Sequence, residues 1–400
     1  MPAKKIIIVG GGNAGLSVAA QLLKKDRSLQ ISIIDPSSKH YYQPAWTLVG
    51  AGIFDINKTV RNEVDYIPKG TTWIKDAVVS FLPDENKVVC SSGKSYEYDA
   101  MIVCPGIQLD WGKIKGFKET LGKNEVSCNY SFDLAPYTWE LIKNFKGGTA
   151  IFTNPVSPVK CGGAPHKIMY LACDYWRKQG ILDKCNVHYL SGASVIFGIK
   201  EYADTLSEVV KKDNIKAHFG VNVVEIDGNI KTVFYEEKNP EGIPVKKEMK
   251  FDICHAVPPQ SAPDFLKNSP LSDPKNPYGY VEVNMNTLQH SRYDNIFALG
   301  DCTNAPCSKT GAAIRKQAPV VVQNVLALLA KKPMAGDYTG YSACPIPTQY
   351  GKLMLAEFDY SNKPTMTFPF DQAKPRWSMW ILKTKLLPWL YWNKILKGTA

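Results

Sequence analysis

The chain has 400 residues, of which 44% are hydrophobic and 21% charged, and it carries a formal net charge of +11. This composition excludes a disordered chain, a collagen-like repeat and a small disulfide scaffold, and the length suits two or three domains with sizeable cores. A positive excess of this size first raises nucleic-acid binding as a function, so the position of the charges along the chain matters.

The opening, MPAKKIIIVGGG, runs straight into a strand, and no secretory signal is expected. Lys4–Val9 ends in the apolar run suited to a buried parallel strand. GGGNAG follows at 10–15, then a helical stretch from Leu16 to Lys25 and a second apolar run, Ile31–Ile34, ending at Asp35. This is the strand, glycine turn, helix, strand, acid order of a dinucleotide fold. Gly10 allows the tight turn, Gly12 admits a pyrophosphate to the helix N-terminus, and Gly15 lets helix and strand pack closely. Asp35 is placed to accept hydrogen bonds from a ribose. Two later segments, SYEYDAMIVCPG ending at Gly106 and DNIFALGD ending at Asp301, are strands closing on glycine turns. They resemble the flavoprotein reductases with two dinucleotide-type domains. That resemblance implies FAD as the cofactor, with Asp301 on its ribityl chain.

In NADH-using members of that superfamily a second glycine fingerprint follows a mid-chain strand. Here the equivalent strand, GTAIFT at 148–153, leads into NPVSPVKCGGAPHK, which has no G-x-G-x-x-G. A helix is predicted over Pro165–Lys178, just after Cys161. A helix N-terminus together with Lys160, His166 and Lys167 favours a thiolate there. Tyr338–Lys352, YTGYSACPIPTQYGK, places Cys344 in a Gly/Pro-rich turn, 183 residues beyond Cys161. The ten cysteines include no CxxC pair, so no metal site is expected. Most read as small buried hydrophobes.

The segments PVKCGGAPHKIMYL, IFGIKEYADTL, GDCTNAPCSKTGAA, YSACPIPTQYGKLMLAEFDY and FPFDQAKPRWSMW resemble the sulfide:quinone oxidoreductases, most of all their mitochondrial-type branch, over essentially the whole chain. The resemblance implies that Cys161 and Cys344 form a redox pair. Hydrosulfide would attack one sulfur of the oxidised pair, a small acceptor such as glutathione or sulfite would remove the sulfane sulfur, and the electrons would pass through the flavin to ubiquinone or menaquinone. Lys160 and Lys167 would attract the anion and steady the thiolate, and Lys309 would serve reduced flavin or its phosphate. Asn13, Ala14, Gln43 and Val78 match further flavin contacts. Cys128 matches a third cysteine of another branch and is read as a spectator, as are Cys302 and Cys307. That other branch tends to carry a carboxylate where Lys167 stands, so an acid–base glutamate does not carry over.

The last 28 residues, 373–400, contain six basic residues, no acid and four of the nine tryptophans. Trp377, Trp380, Ile381, Thr384 and Leu387 share a helical face, and Pro388 is expected to break the helix before a second short one. Neither piece is long enough to span a bilayer. Lysines and indoles around an apolar stripe suit an amphipathic, monotopic anchor at a membrane surface, and charge concentrated there disfavours nucleic acid as a partner. The expected architecture is α/β: a discontinuous FAD domain (1–115 and 275–340), a second Rossmann-like domain with Cys161 (116–274), and a membrane-facing C-terminal region with Cys344 (341–400). The expected location is the cytoplasmic face of a bacterial inner membrane, or the mitochondrial inner membrane in a eukaryote, with a homo-oligomer among the options. The rival readings are a type II NADH:quinone oxidoreductase, which the missing second fingerprint disfavours, and a flavocytochrome c-like sulfide dehydrogenase.

Overall fold

The computed structural model describes residues 3–400; Met1 and Pro2, the first residues of the opening, lie outside the described residues. Two five-stranded parallel sheets organise the chain. The first has the order Ile296–Ala298, Ala100–Val103, Lys5–Val9, Gln30–Ile34, Thr71–Ile74. Its central strands are near-continuous runs of buried Ile, Val and Met, as a sheet covered on both faces requires. At the end of Lys5–Val9 the chain turns through Gly10 at φ +107°, where any Cβ would stand 2.6 Å from the Cys104 carbonyl oxygen. Gly15 is equally constrained, because a Cβ there would run into the Gly10 carbonyl oxygen. The Asn13–Lys25 helix therefore lies close against the sheet with its N-terminus open.

The second sheet has the order Val126–Ser127, Ile253–His255, Gly148–Asn154, Cys185–Ser191, Lys216–Phe219. The predicted helix after Cys161 runs Ala164–Lys178 and is buried nearly all round. It packs between this sheet and a C-terminal hairpin, Ser342–Gln349 with Lys352–Phe358. Cys344 lies within this hairpin, opposite Ala356, rather than in a loose turn. The segment SACPIPTQ is a strand despite its prolines because Pro345 and Pro347 are two residues apart. Both missing N–H groups thus fall on one edge of the strand, leaving the other edge free to pair.

The tail also departs from expectation. Pro388 does not break it: Trp377–Ile381, Leu382–Leu386, Leu387–Leu390 and Tyr391–Ile395 form one continuous helical run, with wider π turns in the second and fourth segments. The i→i+5 pattern ahead of Pro388 absorbs the hydrogen bond that proline cannot donate. It also shifts the phase of the helix, so the expected apolar face does not stay together. Trp377 is 66% exposed while Thr384 is buried. The face turned to the protein carries Met379, Lys383, Tyr391, Trp392 and Leu396, and the outward face carries Trp377, Leu386 and Trp389. Among the described residues no helix is long and apolar enough to cross a membrane.

Candidate active site

The nucleotide cradle is built where the first sheet ends. Gly12 caps the Asn13–Lys25 helix with no side-chain partner, and a Cβ added at Gly12 or at Gly106 would meet nothing within 4 Å. Both points border open space, as an approaching pyrophosphate and flavin require. The N-terminus of a second helix, Gly311–Leu329, comes to the same place: a Cβ on Gly311 would lie 3.6 Å from Asn13 Nδ2, and Ala14 lies beside Gly300. Asp35 accepts from the Gly11 N–H at 2.6 Å and from the Ser37 N–H at 2.7 Å, which aims its carboxylate at the turn. Asp301 follows Gly300 at the other side, and burial raises its pKa against the pull of Lys309 and Lys160. Gln43 accepts from Lys160 Nζ at 2.6 Å. Lys309 is buried, donates to the Thr303 carbonyl at 2.8 Å and sits 3.7 Å above the Tyr280 ring. Val78 stands apart, buried at the head of the Val78–Leu82 strand in a separate three-stranded sheet. Two helix N-termini, open glycines and an aimed acid fit an FAD.

The dithiol lies next to this cradle. The Cys161 N–H donates to the Lys309 carbonyl at 2.7 Å, and the Cys161 carbonyl accepts from the Ala164 N–H at 2.7 Å. Cys161 is held at φ +58°, a left-handed conformation that costs a non-glycine residue energy and persists only under such constraint. The result is a Cys161 Sγ to Cys344 Sγ separation of 3.1 Å, bridging the 183 residues that sequence could not. Gly163 makes the approach possible, since a Cβ there would lie 2.6 Å from Cys344 Sγ.

The electrostatics of the pair are asymmetric. Lys167 Nζ donates to Cys161 Sγ at 2.9 Å and is buried. The hydrogen bond from Cys344, then Lys167, holds the Cys161 pKa well below the usual thiol value. The bond to Cys161 and burial push the Cys344 pKa well up. Burial works against the Lys167 charge, but the two sulfurs outweigh it and raise its pKa. The site is a thiolate at Cys161 and a thiol at Cys344, paired with one ammonium.

Two of the three cations assigned to the thiolate do not serve it. His166, one residue from Lys167, turns into an aromatic pocket of Tyr170, Tyr189 and Phe197, and burial lowers its pKa to about 3, so it stays neutral. Lys160 reaches Gln43, on the cradle side, instead of the sulfur. A cation that sequence assigned to lipid takes their place. Lys383, in the tail, is buried, donates to the Pro44 carbonyl at 2.8 Å, and contributes to lowering the Cys161 pKa. Burial, then the neighbouring Lys167, lower its own pKa to about 8. Lys383 lies one helical turn beyond buried Met379 on the face turned to the protein, and a lysine in a tryptophan-rich tail gives no sequence sign of burial. Cys128, Cys302 and Cys307 share no hydrogen bond with the pair. Burial raises the pKa of each, to about 12 for Cys128 and Cys302.

A glycine-turn cradle that opens on a dithiol of buried Cys344 and partly buried Cys161, with no second glycine turn beside it, defines a flavin-dependent oxidoreductase of the disulfide-reductase type. The pyridine nucleotide-disulphide oxidoreductase family matches residues 4–132. The chain is 46% identical to the mitochondrial sulfide:quinone oxidoreductase of Dictyostelium discoideum over 98% of its length and 86% of that protein's. It is 39% identical to the mouse mitochondrial protein of the same name, over 98% and 86%. The chain belongs to the sulfide:quinone oxidoreductase family. Its fold is similar to the sulfide:quinone oxidoreductase structure from Aquifex aeolicus, with a TM-score of 0.82 at 21% identity over 99% of this chain and 92% of that one.

Two outcomes follow from this geometry. Gly163→Ala is expected to force the sulfurs apart and cut sulfide-dependent turnover by about a hundredfold, with flavin content unchanged; turnover near wild type would contradict the packing read here. Lys383→Gln is expected to lower kcat/KM for sulfide several-fold below pH 8, where the wild-type ammonium is charged. That deficit should shrink above pH 8, where the wild type loses the charge too. A deficit constant across pH 6.5–9.5 would remove Lys383 from the electrostatics of the pair.

Proposed function

We propose that this protein oxidises hydrogen sulfide through the Cys161–Cys344 pair and delivers the electrons to a membrane quinone. The observation that carries the reading is the 3.1 Å dithiol with a buried lysine on one of its sulfurs. FAD, when bound, takes up the electron pair and passes it to quinone. The protein's own residues govern the sulfur chemistry.

In the oxidised bridge, hydrosulfide attacks one sulfur; a new S–S bond forms to the substrate sulfur as the Cys–Cys bond breaks. The cysteine with the lower pKa leaves more readily. Lys167 makes that cysteine Cys161, so the persulfide falls on Cys344 and the negative charge on Cys161. A nucleophilic acceptor, such as glutathione or sulfite, then attacks the outer sulfur and leaves the Cys344 thiolate. Reclosure of the bridge releases two electrons. Lys309 fixes the Cys161 loop through its carbonyl, and Asp35, Asp301 and Gln43 orient the cofactor.

The tail supports attachment to a membrane surface. Its outward face presents Trp377, Leu386 and Trp389, the last two about half exposed, with Lys385, Lys394 and Lys397 around them. Lys394 lies 6.0 Å from the Trp389 ring. Indole and ammonium together suit the headgroup boundary. The relatives' names support a mitochondrial location. The two parallel sheets support the proposed division into a cofactor half and a dithiol half.

Cys161→Ser and Cys344→Ser should each reduce sulfide-dependent decylubiquinone reduction by at least about a thousandfold while leaving FAD bound, whereas Cys128→Ser should stay within about twofold. Normal turnover in either of the first two variants would exclude the pair. Flavin bleaching by NADH and not by sulfide would favour the NADH:quinone reading instead. Replacing Trp377 and Trp389 together with Ser should weaken co-sedimentation with anionic vesicles by about tenfold or more; unchanged binding would place the membrane contact elsewhere.

A further inference from the structure

One buried polar chain runs from the tail to the nucleotide cradle and takes no part in the sulfur chemistry. Tyr391, in the last tail segment, places its hydroxyl 2.6 Å from His40 Nε2, and His40 Nδ1 lies 2.9 Å from Glu63 Oε2. Tyr391, His40 and Glu63 are all buried. The chain does not end in a satisfied partner: Glu63 Oε1 is buried with no hydrogen bond. A polar atom in that condition costs free energy unless something meets it. The position of this oxygen shows what could. It would lie 2.8 Å from a Cβ on Gly11, and the Asp35 side chain borders the same point at 3.1 Å. The free oxygen therefore faces the glycine turn beside the acid aimed at the ribose.

The tail is fastened to the same region by independent contacts. The Ile395 carbonyl accepts from Ser17 Oγ at 3.1 Å and the Gly398 carbonyl from Lys24 Nζ at 3.1 Å, both on the helix that the cradle caps. Trp392 packs 5.1 Å from the Tyr66 ring and under the Arg61 guanidinium at 5.2 Å. Every one of these partners belongs to the cofactor-binding half, and none to the dithiol.

We infer that Glu63 backs the glycine turn of the FAD nucleotide site, and that the Glu63–His40–Tyr391 chain couples cofactor binding to the seating of the C-terminal tail. The inference rests on the FAD reading and extends it. FAD seated on the glycine turn would hold Gly11 and Asp35 against the Glu63 carboxyl, keep His40 in one orientation, and so fix the acceptor or donor that Tyr391 needs. Loading of the cofactor would then tighten the end of the helix whose other face meets lipid. Burial raises the Glu63 pKa against the pull of His40, as it would for a carboxyl awaiting a partner.

The test uses the full-length, FAD-loaded chain. FAD release on dilution is followed by the rise in flavin fluorescence, and amide hydrogen exchange is read over 391–398 before and after release. Glu63→Gln should speed FAD release about tenfold and Tyr391→Phe about threefold. In the wild type, exchange over 391–398 should quicken about tenfold when FAD leaves, and in Tyr391→Phe it should be fast in both states. Purified wild type without flavin would overturn the FAD reading itself. Wild type with flavin, but with release rates and tail exchange matching those of both variants, would overturn the coupling alone.

Discussion

The contact between the buried Lys167 Nζ and Cys161 Sγ, 2.9 Å long, sets the terms for the rest of the site. An ammonium removed from water without a counter-charge is costly. Among the described residues its hydrogen bond goes to sulfur, and no carboxylate pairs with it. The charge is therefore tolerated only if one sulfur is an anion. The fold in this way fixes the protonation of a group whose ordinary pKa would leave it mostly a thiol at neutral pH. The asymmetry between Cys161 and Cys344 arises first from the hydrogen bond between the two sulfurs, and Lys167, 2.9 Å from Cys161 Sγ, favours the charge on Cys161.

That constraint reaches outward through the backbone. The Cys161 N–H is held by the Lys309 carbonyl, while the Lys309 side chain lies over Tyr280 on the cofactor side. One residue thus positions both the sulfur and part of the cradle, and relative motion of the two halves would break a buried backbone hydrogen bond as well as displace the thiolate. Lys383 adds a third element to the same centre from a helix whose opposite face is exposed tryptophan. The surplus of positive charge is consequently divided by burial. Lys167 and Lys383 act on sulfur, while Lys385, Lys394 and Lys397 remain at the surface.

Much of the cradle was legible in the sequence because its physics is local. A turn that must admit a phosphate needs glycines at fixed offsets, and an acid at the end of the second strand falls beside it. Gly10, Gly12, Gly15 and Asp35 lie within 26 residues of one another, and the structure places them together. Cys161 and Cys344 were singled out by family resemblance, and their proximity is a property of the tertiary fold alone. The errors have a common origin, namely that sequence neighbours were taken for spatial ones. Adjacent helical residues point about 100° apart, so Lys167 faces the sulfur while His166 faces Tyr170. Lys383 was missed for the converse reason. The expected face was drawn through Trp377 and Trp380, whereas the face that packs runs through Met379 and Lys383, one turn apart. Glu63 lay in a segment with no periodic signal and became visible only as an unpaired buried oxygen.

The second sheet shows how this dinucleotide-type frame came to serve a different reductant. The strand Gly148–Asn154 ends where a glycine turn could receive a nucleotide, but the chain that follows is pinned by other means. The Lys160 N–H donates to Gln260 Oε1 at 2.9 Å, the Gln260 N–H donates to Ser157 Oγ at 3.0 Å, and the Cys161 N–H is held by Lys309. These bonds place Cys161 between the sheet end and the Lys309 loop of the cofactor half. The helix that follows begins after Gly163, where a Cβ would lie 2.6 Å from Cys344 Sγ, so its N-terminus closes on sulfur instead of standing open as the one at Gly12 does.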